Sequence, residues 1–280
     1  METSGGVRYA FVACLYHISR NGVKAVLLAG GLGTRLSEET GTRPKPMVEI
    51  GNKPILWHIM NIYAAHGINE FIVCAGYKGE VIRSWFAEYP TRYADITFDL
   101  STGEQIVHRR ETLPWRVSVI DTGENTMTGG RLRRVREYLD GDSFCFTYGD
   151  GVSDVDITQS LAFHRSQGRH ATMTVVQPPG RFGAISLDAK ETAIDHFKEK
   201  PNGDGAWING GFFVLEPAVL DYIDSDQTVW EQHPLQQLAA DSQLNAWKHP
   251  GFWHPMDTLH DRNKLEELWR GGNAPWKVWN

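Results

Sequence analysis

The stretch LLAGGLGTRLSEETGTRPKPMVEI, from Leu27 to Ile50, decides how the rest of the chain is interpreted. An apolar run over residues 23–29 predicts a buried β-strand, and this run leads directly into a loop rich in glycine. Because glycine has no Cβ, the N–H groups of such a loop can surround phosphate oxygens. Arg35 adds a planar set of donors, and Lys45 adds a compact positive charge. The stretch therefore predicts a polyphosphate-binding loop.

Two better-known phosphate loops are excluded by the same residues. A P-loop requires GxxxxGK followed by Ser or Thr, and this string does not occur in the chain. A dinucleotide-binding loop requires GxGxxG, but Leu36 occupies the third glycine position after Gly31 and Gly33. A nicotinamide-dependent dehydrogenase is therefore disfavoured. From the residues alone, an ordinary glycine turn between a strand and a helix remains the alternative.

Composition and charge restrict the class of protein and its partners. The chain has 280 residues, of which 41% are hydrophobic and 22% charged, as is usual for a soluble globular protein. The net charge of −6 argues against nucleic acid as a partner. No apolar stretch approaches the roughly 20 residues of a membrane-spanning helix, so no membrane partner is expected.

The three cysteines indicate a reducing compartment. Cys14, Cys74 and Cys145 lack the spacing of a metal site, and three cysteines cannot all pair with one another. Cys74 and Cys145 lie in apolar, strand-like runs, so we expect buried, reduced thiols and a cytoplasmic location.

Strand-like and helix-like segments alternate along the chain, which predicts the α/β class. The expected fold is Rossmann-like, with a mixed but mostly parallel sheet and helices on both faces. No linker interrupts the pattern, so we expect one domain over residues 23–280. The predicted strands are 23–29, 71–76, 95–100, 117–122, 144–150, 171–177, 183–188 and 208–217, and the predicted helices are 54–65, 80–89, 130–139, 156–168, 228–239 and 265–270.

Polar residues follow several of these strands, at the sheet edge where ligands bind in such folds. Asp150 ends one apolar strand, and Asp257 immediately precedes a helix. Two carboxylates near a phosphate loop suit Mg²⁺, but Asp150 also suits a turn, and Thr258 begins a capping-box pattern. Lys200 is consistent either with a phosphate contact or with a place in a solvent-exposed turn. The INGG segment at residues 208–211 suits a ligand contact or a simple β-bulge.

The string GGLGTR at residues 30–35, with RPKPM at residues 43–47, resembles the signature of the sugar-1-phosphate nucleotidylyltransferases. Nearly the whole chain from Val23 resembles the cytidylyltransferase branch of that family, whose substrates are CTP and glucose 1-phosphate. The segments that carry this resemblance are GYKGEVIRSWF, DTGENTMTGGRL, FTYGDGVSDVDI, PPGRFGAI, WINGGFFVLEP, TVWEQHPLQQLA, GFWHPMDTLHD and APWKVW.

The resemblance implies the nucleotide-diphospho-sugar transferase fold and a role for each matching residue. Catalysis is assigned to Arg35 and Lys45; nucleotide binding to Leu28, Ala29, Gly30, Gly31, Leu32, Gly33, Thr34, Thr126, Gly130, Arg131 and Gly149; sugar-phosphate binding to Glu199, Lys200, Asn209, Gly210 and Gly211; and Mg²⁺ binding to Asp150 and Asp257. The remaining arginines of this region, Arg133, Arg134 and Arg136, are expected on a solvated helix face.

The reaction that the resemblance implies is transfer of a cytidylyl group from CTP to α-D-glucose 1-phosphate. The products are CDP-glucose, a precursor for surface polysaccharide such as O-antigen, and pyrophosphate. A homo-oligomer is implied as well. Two alternatives stay open: a pyrophosphorylase that uses another nucleotide or sugar 1-phosphate, and a non-catalytic regulator that binds nucleotide sugars.

The two ends of the chain raise separate questions. Residues 1–22 have no counterpart in the resemblance, so we expect an N-terminal extension, with the true start at Val23 read from an alternative start codon. The C-terminal region is rich in tryptophan, including Trp269, Trp276 and Trp279. These side chains suit either a subunit interface or packing within one domain, and packing is the preferred interpretation.

Overall fold

The computed structural model describes residues 22–31, 33, 36–109, 112–178, 184–187, 194–198 and 206–279. The predictions that concern residues 1–21, Leu32, Thr34, Arg35, Glu199 and Lys200 lie outside the described residues. Within the part that is described, no helix is both long enough and apolar enough to cross a membrane.

The described chain contains fifteen strands and seven α-helices. The strands are β1 (Lys24–Ala29), β2 (Glu49–Ile50), β3 (Lys53–Pro54), β4 (Glu70–Ala75), β5 (Asp95–Asp99), β6 (Glu104–Arg109), β7 (Arg116–Asp121), β8 (Phe144–Tyr148), β9 (Gly151–Ser153), β10 (Ala171–Val176), β11 (Ala184–Leu187), β12 (Ile194–Lys198), β13 (Ile208–Leu215), β14 (Leu244–His249) and β15 (Trp253–Pro255). The helices are α1 (Ser37–Thr40), α2 (Ile55–Ala65), α3 (Gly79–Arg92), α4 (Thr128–Arg134), α5 (Ile157–Gln167), α6 (His233–Ala240) and α7 (Leu259–Arg270).

A seven-stranded sheet forms the centre of the fold, in the order β14-β10-β13-β8-β1-β4-β7. Strand β1 lies between β4 and β8 and is parallel to both, while β7 extends the parallel part beyond β4. Strand β13 runs antiparallel to both of its neighbours, β8 and β10. The expected mixed, mostly parallel sheet is therefore confirmed.

Helices cover both faces of this sheet, and strand β1 shows why. Its side chains alternate, so Ala25 and Leu27 pack with helices α2, α3, α5 and α7 on one face. Val26 and Leu28 pack on the opposite face with α4 and α6. Because both faces of the sheet are covered, β1 is apolar at every position from residue 25 to 29. This burial on both sides explains the continuous apolar run in the sequence.

Several predicted helices have different bounds in the structure, among them the one expected over residues 265–270, which begins at Leu259. The helix expected over residues 130–139 ends at Arg134 and continues as a 3₁₀ turn over Arg136–Tyr138. The helix expected over residues 228–239 begins only at His233, where Pro234 occupies the first turn. Strands β2, β3, β6, β9, β14 and β15 were not predicted, because they are short or lack a clear alternation of apolar residues.

The C-terminal tryptophans pack within the chain, which confirms the preferred interpretation. Trp276 is fully buried, and its ring packs against Trp269 and against His58 of helix α2. Trp279 contacts Trp57 of the same helix edge to face, with 5.7 Å between ring centroids. The C-terminal segment thus seals one face of the core.

Two further expectations about side chains are confirmed. Cys74 and Cys145 are free and buried, and burial raises the pKa of each thiol to about 12. Arg133, Arg134 and Arg136 are exposed and bind surface oxygens of Asp224, Asp226 and Asp221, as expected for a solvated face.

Candidate active site

A cavity of about 470 Å³ opens at the carboxyl ends of β1 and β8. Glycines of the loop after β1 form one wall, and the start of helix α4 forms the opposite wall. Its lining residues are Leu28, Gly30, Gly31, Gly33, Lys45, Pro46, Thr126, Met127, Thr128, Arg131, Tyr148, Gly149, Asp150 and Glu231. The structure thus brings together most of the described residues that were assigned to nucleotide binding. Ala29 and Gly130 are the two that do not line this cavity.

The glycine loop is held by hydrogen bonds to its backbone. The Gly30 carbonyl accepts from the Tyr77 amide at 3.2 Å and from Arg131 Nη2 at 3.0 Å. Gly33 has a φ of +62°, a conformation that favours glycine, and its carbonyl accepts from the Leu36 amide at 3.0 Å. The loop is therefore fixed at both ends by residues from outside it.

Arg131 is the buried cation beneath this loop. Nη1 donates to the Thr122 hydroxyl at 2.8 Å and to the Gly123 carbonyl at 2.7 Å, while Nη2 donates to Gly30 and Glu124 carbonyls at 3.0 Å each. Burial lowers the pKa of Arg131 from its ordinary value. No carboxylate in the described part of the chain forms an ion pair with it, so its charge contributes positive potential to the floor of the cavity.

Two glycines near the cavity are required by close packing. A Cβ on Gly149 would lie 2.4 Å from the Leu28 carbonyl oxygen, so only glycine lets β8 end beside β1 and Pro46. A Cβ on Gly130 would lie 2.5 Å from the Asp226 carbonyl oxygen. The Gly130 amide donates to the Thr228 carbonyl at 3.2 Å, so this N–H group is engaged within the protein.

Lys45 joins the two acidic residues that the sequence singled out. It lies in a 3₁₀ turn over Lys45–Met47, and its ammonium donates to Asp150 Oδ2 and Asp257 Oδ1 at 2.7 Å each. Burial lowers the pKa of Lys45, but the charges and hydrogen bonds of the two carboxylates outweigh burial and raise it above its ordinary value. The three groups are 105 to 212 positions apart in sequence and meet at one point.

Pairing of two short strands brings the two aspartates together. Strand β9, directly after Asp150, pairs antiparallel with β15, which ends two residues before Asp257. The Met256 amide donates to the Asp150 carbonyl at 2.8 Å and extends this pairing. The capping box proposed for Thr258 is also real, since Thr258 and Asp261 cap helix α7. The cap fixes the backbone, and the Asp257 side chain reaches Lys45.

A second cavity of about 200 Å³ adjoins the first on the side of β13. It is lined by Thr147, Tyr148, Asp150, Gly151, Asn209, Gly210, Gly211, Phe212, Trp253, Pro255 and Asp257. The register between β10 and β13 shifts at this point, so the expected β-bulge is present and the same residues also line a cavity. Trp253 Nε1 donates to the Gly210 carbonyl at 2.6 Å. This cavity contains the three described residues assigned to the sugar phosphate.

Several lining residues were not identified from the sequence. Tyr148 lines both cavities, Glu231 and Thr128 line the larger one, and Trp253 lines the smaller one. Burial, and then the charge of Glu231, raises the pKa of Tyr148 above its ordinary value. Tyr148 lies in an apolar strand run, where an aromatic residue is ordinary core, so only its position beside Gly149 and Asp150 could have indicated a site.

The comparisons with known proteins agree with this geometry. Residues 24–249 match the nucleotidyl transferase family. A glucose-1-phosphate cytidylyltransferase of Salmonella typhi is 57% identical over 258 residues, which span 92% of this chain and 100% of that protein. A probable glucose-1-phosphate cytidylyltransferase of Bacillus subtilis (strain 168) is 42% identical over 259 residues, with the same two coverages. The crystal structure of HddC from Yersinia pseudotuberculosis has the same fold, with a TM-score of 0.64 at 22% identity over 88% of this chain and 99% of that one. The chain belongs to the nucleotidyl transferase family.

Proposed function

We propose that this protein transfers the cytidylyl group of CTP to α-D-glucose 1-phosphate and releases CDP-glucose and pyrophosphate. The observation that carries the proposal is the convergence of Lys45, Asp150 and Asp257 where two cavities adjoin. Relatives that are 57% and 42% identical along their full length, and that are named for this activity or its probable form, support CTP and glucose 1-phosphate as the substrates.

The reaction needs positioned charge rather than a covalent enzyme intermediate. A phosphate oxygen of glucose 1-phosphate attacks the α-phosphorus of CTP, and the bond from that phosphorus to the bridging oxygen of the β-phosphate breaks. The electron pair leaves with pyrophosphate. Because both substrates carry negative charge, the site must supply cations along the path of attack.

The residues divide between the two cavities. We assign the triphosphate to the glycine loop over residues 28–34 with Arg35 and Lys45, and the nucleoside to the side that contains Thr126, Arg131 and Gly149. Gly130, which precedes Arg131 in helix α4, stays in this assignment through the sequence resemblance alone. The smaller cavity, with Asn209, Gly210 and Gly211, takes glucose 1-phosphate. Glu199 and Lys200 complete this assignment on the strength of the sequence resemblance.

Asp150 and Asp257 suit a magnesium ion. Their carboxylate oxygens already converge on one cation, the Lys45 ammonium, from which each lies 2.7 Å away. No group of three His, Cys, Asp or Glu residues suited to a metal occurs in the described residues. Mg²⁺ does not require one, because it is bound by one or two carboxylates together with water and substrate phosphates. When bound, the ion neutralises phosphate charge.

A homo-oligomer is part of the proposal, supported by strands β5 and β6. These two strands pair with each other as a separate two-stranded sheet, an arrangement that has marginal stability on its own. They and the turn between them expose Phe98, Leu100 and Ile106. Light scattering during gel filtration tests this point, since a species of 31.6 kDa would contradict it.

We place the reaction in the cytoplasm because Cys74 and Cys145 are unpaired.

Product analysis tests the proposed reaction. Purified protein is incubated with Mg²⁺, CTP and glucose 1-phosphate, and CDP-glucose and pyrophosphate are quantified separately. We expect equimolar products that require both substrates and that disappear with EDTA. Nucleotide binding without any product would instead support a non-catalytic regulator.

A further inference from the structure

Glu231 is an acidic residue of the larger cavity that the proposed reaction leaves without a role. It lies between β13 and α6, and its side chain lines the cavity together with Thr128. The salt bridges of the described chain are formed by other carboxylates, such as Asp150 and Asp257, so no cation of the described residues neutralises Glu231. Its charge faces a cavity assigned to a negatively charged nucleotide, which is unfavourable unless the ligand supplies a hydrogen-bond donor there.

The wall around Glu231 is joined to the start of helix α4 by backbone hydrogen bonds. The Met127 amide donates to the Asp226 carbonyl at 2.8 Å, and the Gly129 amide donates to the Thr228 carbonyl at 3.0 Å. A Cβ on Gly129 would lie 2.8 Å from that Thr228 oxygen, so the close approach requires glycine. Residues 226–231 and the start of α4 therefore form one wall of the cavity.

The first amides of α4 are used inside this wall. Gly129 and Gly130 both donate to the Thr228 carbonyl, at 3.0 Å and 3.2 Å, so their N–H groups are already engaged within the protein. Polar contacts between this wall and a ligand therefore fall to side chains, and Glu231 is the charged acceptor among the side chains that line the cavity here.

The Glu231 carboxylate is oriented from the core. Trp230, the preceding residue, is fully buried and packs edge to face against Phe146 and Phe213. The Trp230 amide donates to the Thr128 hydroxyl oxygen at 2.9 Å, and this hydroxyl donates its own proton to Glu231 Oε2 at 2.7 Å. A carboxylate has about four acceptor positions, so Glu231 is held in place and still has capacity for a ligand donor.

Neither the triphosphate nor a metal ion accounts for this carboxylate. Phosphate oxygens carry the same sign of charge and offer no donor. Glu231 does not join Asp150 and Asp257 as a metal ligand, because no three His, Cys, Asp or Glu residues of the described chain form such a group. The neutral donors of a cytidine nucleotide are the ribose hydroxyl groups and the 4-amino group of cytosine, and a carboxylate accepts from either.

We propose that Glu231 is a specificity-determining residue that accepts a hydrogen bond from the nucleoside of the bound nucleotide, either from a ribose hydroxyl or from the cytosine 4-amino group. A nucleotide without that donor leaves the carboxylate without a partner. Uracil, in the second case, also turns a carbonyl oxygen towards it, and the two acceptors repel each other. This inference rests on the proposed function, which supplies CTP.

Nucleotide binding in the absence of sugar phosphate tests the inference without turnover. Calorimetry with Mg²⁺ gives the dissociation constants of CTP, 2′-deoxy-CTP, 3′-deoxy-CTP and UTP. In the unaltered protein we expect at least one of the three analogues to bind about tenfold or more weakly than CTP, as for loss of a hydrogen bond to a charged group. In Glu231→Ala, CTP should weaken to the level of that analogue, and their ratio should fall to near onefold. A deoxy analogue identifies the ribose hydroxyl, and UTP identifies the 4-amino group.

Glu231→Gln is a second variant, with the charge removed and an acceptor oxygen kept. Because a charged acceptor binds roughly twice as strongly as a neutral one, a tenfold preference should fall to about threefold. Asp241→Ala is the matched control, since Asp241 is also an exposed carboxylate that accepts from a hydroxyl, that of Tyr222 at 3.1 Å, and it lines neither cavity. Its preference for CTP should be unchanged.

Thermal melting checks that each variant folds. A preference that Glu231→Ala and Glu231→Gln leave unchanged overturns the inference, as does equal weakening of all four nucleotides, which is the result of a merely structural role. Equal binding of the four by the unaltered protein overturns it as well. If the unaltered protein forms CDP-glucose in those cases, the proposed function stands; if it binds none of the four and forms no product, both proposals fall.

Discussion

Lys45 has the position that a cation must have in this site. Two of its three N–H donors are directed to Asp150 and Asp257, and its side chain is only 10% exposed. A flexible ammonium can exchange these oxygens for phosphate oxygens, which the planar fork of an arginine does less readily. Lys45 balances the two carboxylates in this structure, and we propose that it neutralises triphosphate charge once CTP is bound.

Replacement of Lys45 by methionine should lower kcat/KM for CTP by about 10²–10³, as does the loss of other preorganised groups that stabilise developing charge. The reason is that Asp150 and Asp257 then repel the triphosphate without a cation between them. Steady-state pyrophosphate release measures the effect. Lys24→Met is the control, since Lys24 pairs with Asp140 at the opposite end of β1. A Lys45→Met enzyme within threefold of normal would remove Lys45 from the catalytic group.

Gly30 and Arg131 form a steric pair whose variants should not be additive. A Cβ on Gly30 would lie 2.2 Å from Arg131 Nη1, so Gly30→Ala forces the guanidinium away and should cost about 1–3 kcal/mol in stability. In Gly30→Ala combined with Arg131→Lys, the head group is absent, and the double variant should be no less stable than Arg131→Lys alone. Urea unfolding measures the cycle.

Gly31→Ala is the control for this cycle, because a Cβ at Gly31 meets no atom within 4 Å among its neighbours. Its unfolding free energy should stay close to that of the unaltered protein. Additive losses from Gly30→Ala and Arg131→Lys would contradict the steric pairing and place Arg131 elsewhere in solution.

Short strands explain why the sequence predicted the aspartates but not the way they meet. Asp150 follows a run of apolar residues in β8, which is a strong strand pattern. Strands β9 and β15 have three residues each, too few for an alternation to emerge, yet their pairing places Asp257 beside Asp150. The start of helix α6 was predicted at residue 228 instead of His233, because Trp230 looks like part of the apolar helix face. In the structure Trp230 belongs to the core but is not helical.

Helix α2 and the C-terminal segment enclose a neutral histidine, and this element should make stability depend on pH. His58 is fully buried, its Nε2 lies 2.8 Å from the Ile50 carbonyl, and Trp276 Nε1 lies 3.4 Å from Nδ1. Burial lowers the pKa of His58 to about 4. The unfolded chain, with an ordinary histidine pKa of about 6.5, therefore binds the proton first as pH falls.

The contribution of His58 is thus complete above pH 6.5 and is lost as pH falls towards 4. Between pH 7.5 and 5 the unaltered protein should lose about 2 kcal/mol of unfolding free energy through this group. His58→Gln keeps a side-chain N–H but does not titrate, so it should lose less over the same interval. Urea unfolding at the two pH values measures this difference, and equal losses in the two proteins would contradict the assignment.

At the scale of the whole molecule, the alternation of strands and helices predicted the class of fold, and the glycine loop predicted the edge where the site lies. The antiparallel direction of β13 was not predictable, because an apolar strand such as INGGFFVL has the same pattern in either direction. Asn209 was assigned to the candidate site from the INGG motif in the sequence. Tyr148 and Glu231 were missed because only the folded chain brings β8, β13 and the segment before α6 to one wall.

Nucleotide preference tests the central claim most directly. Pyrophosphate release is measured with Mg²⁺ and glucose 1-phosphate, offering CTP, UTP, dTTP, ATP and GTP separately at equal concentration. The account predicts release with CTP at a kcat/KM at least about tenfold above that of each other nucleotide. Equal or higher release with another nucleotide, or none with any of the five from folded protein, would contradict it.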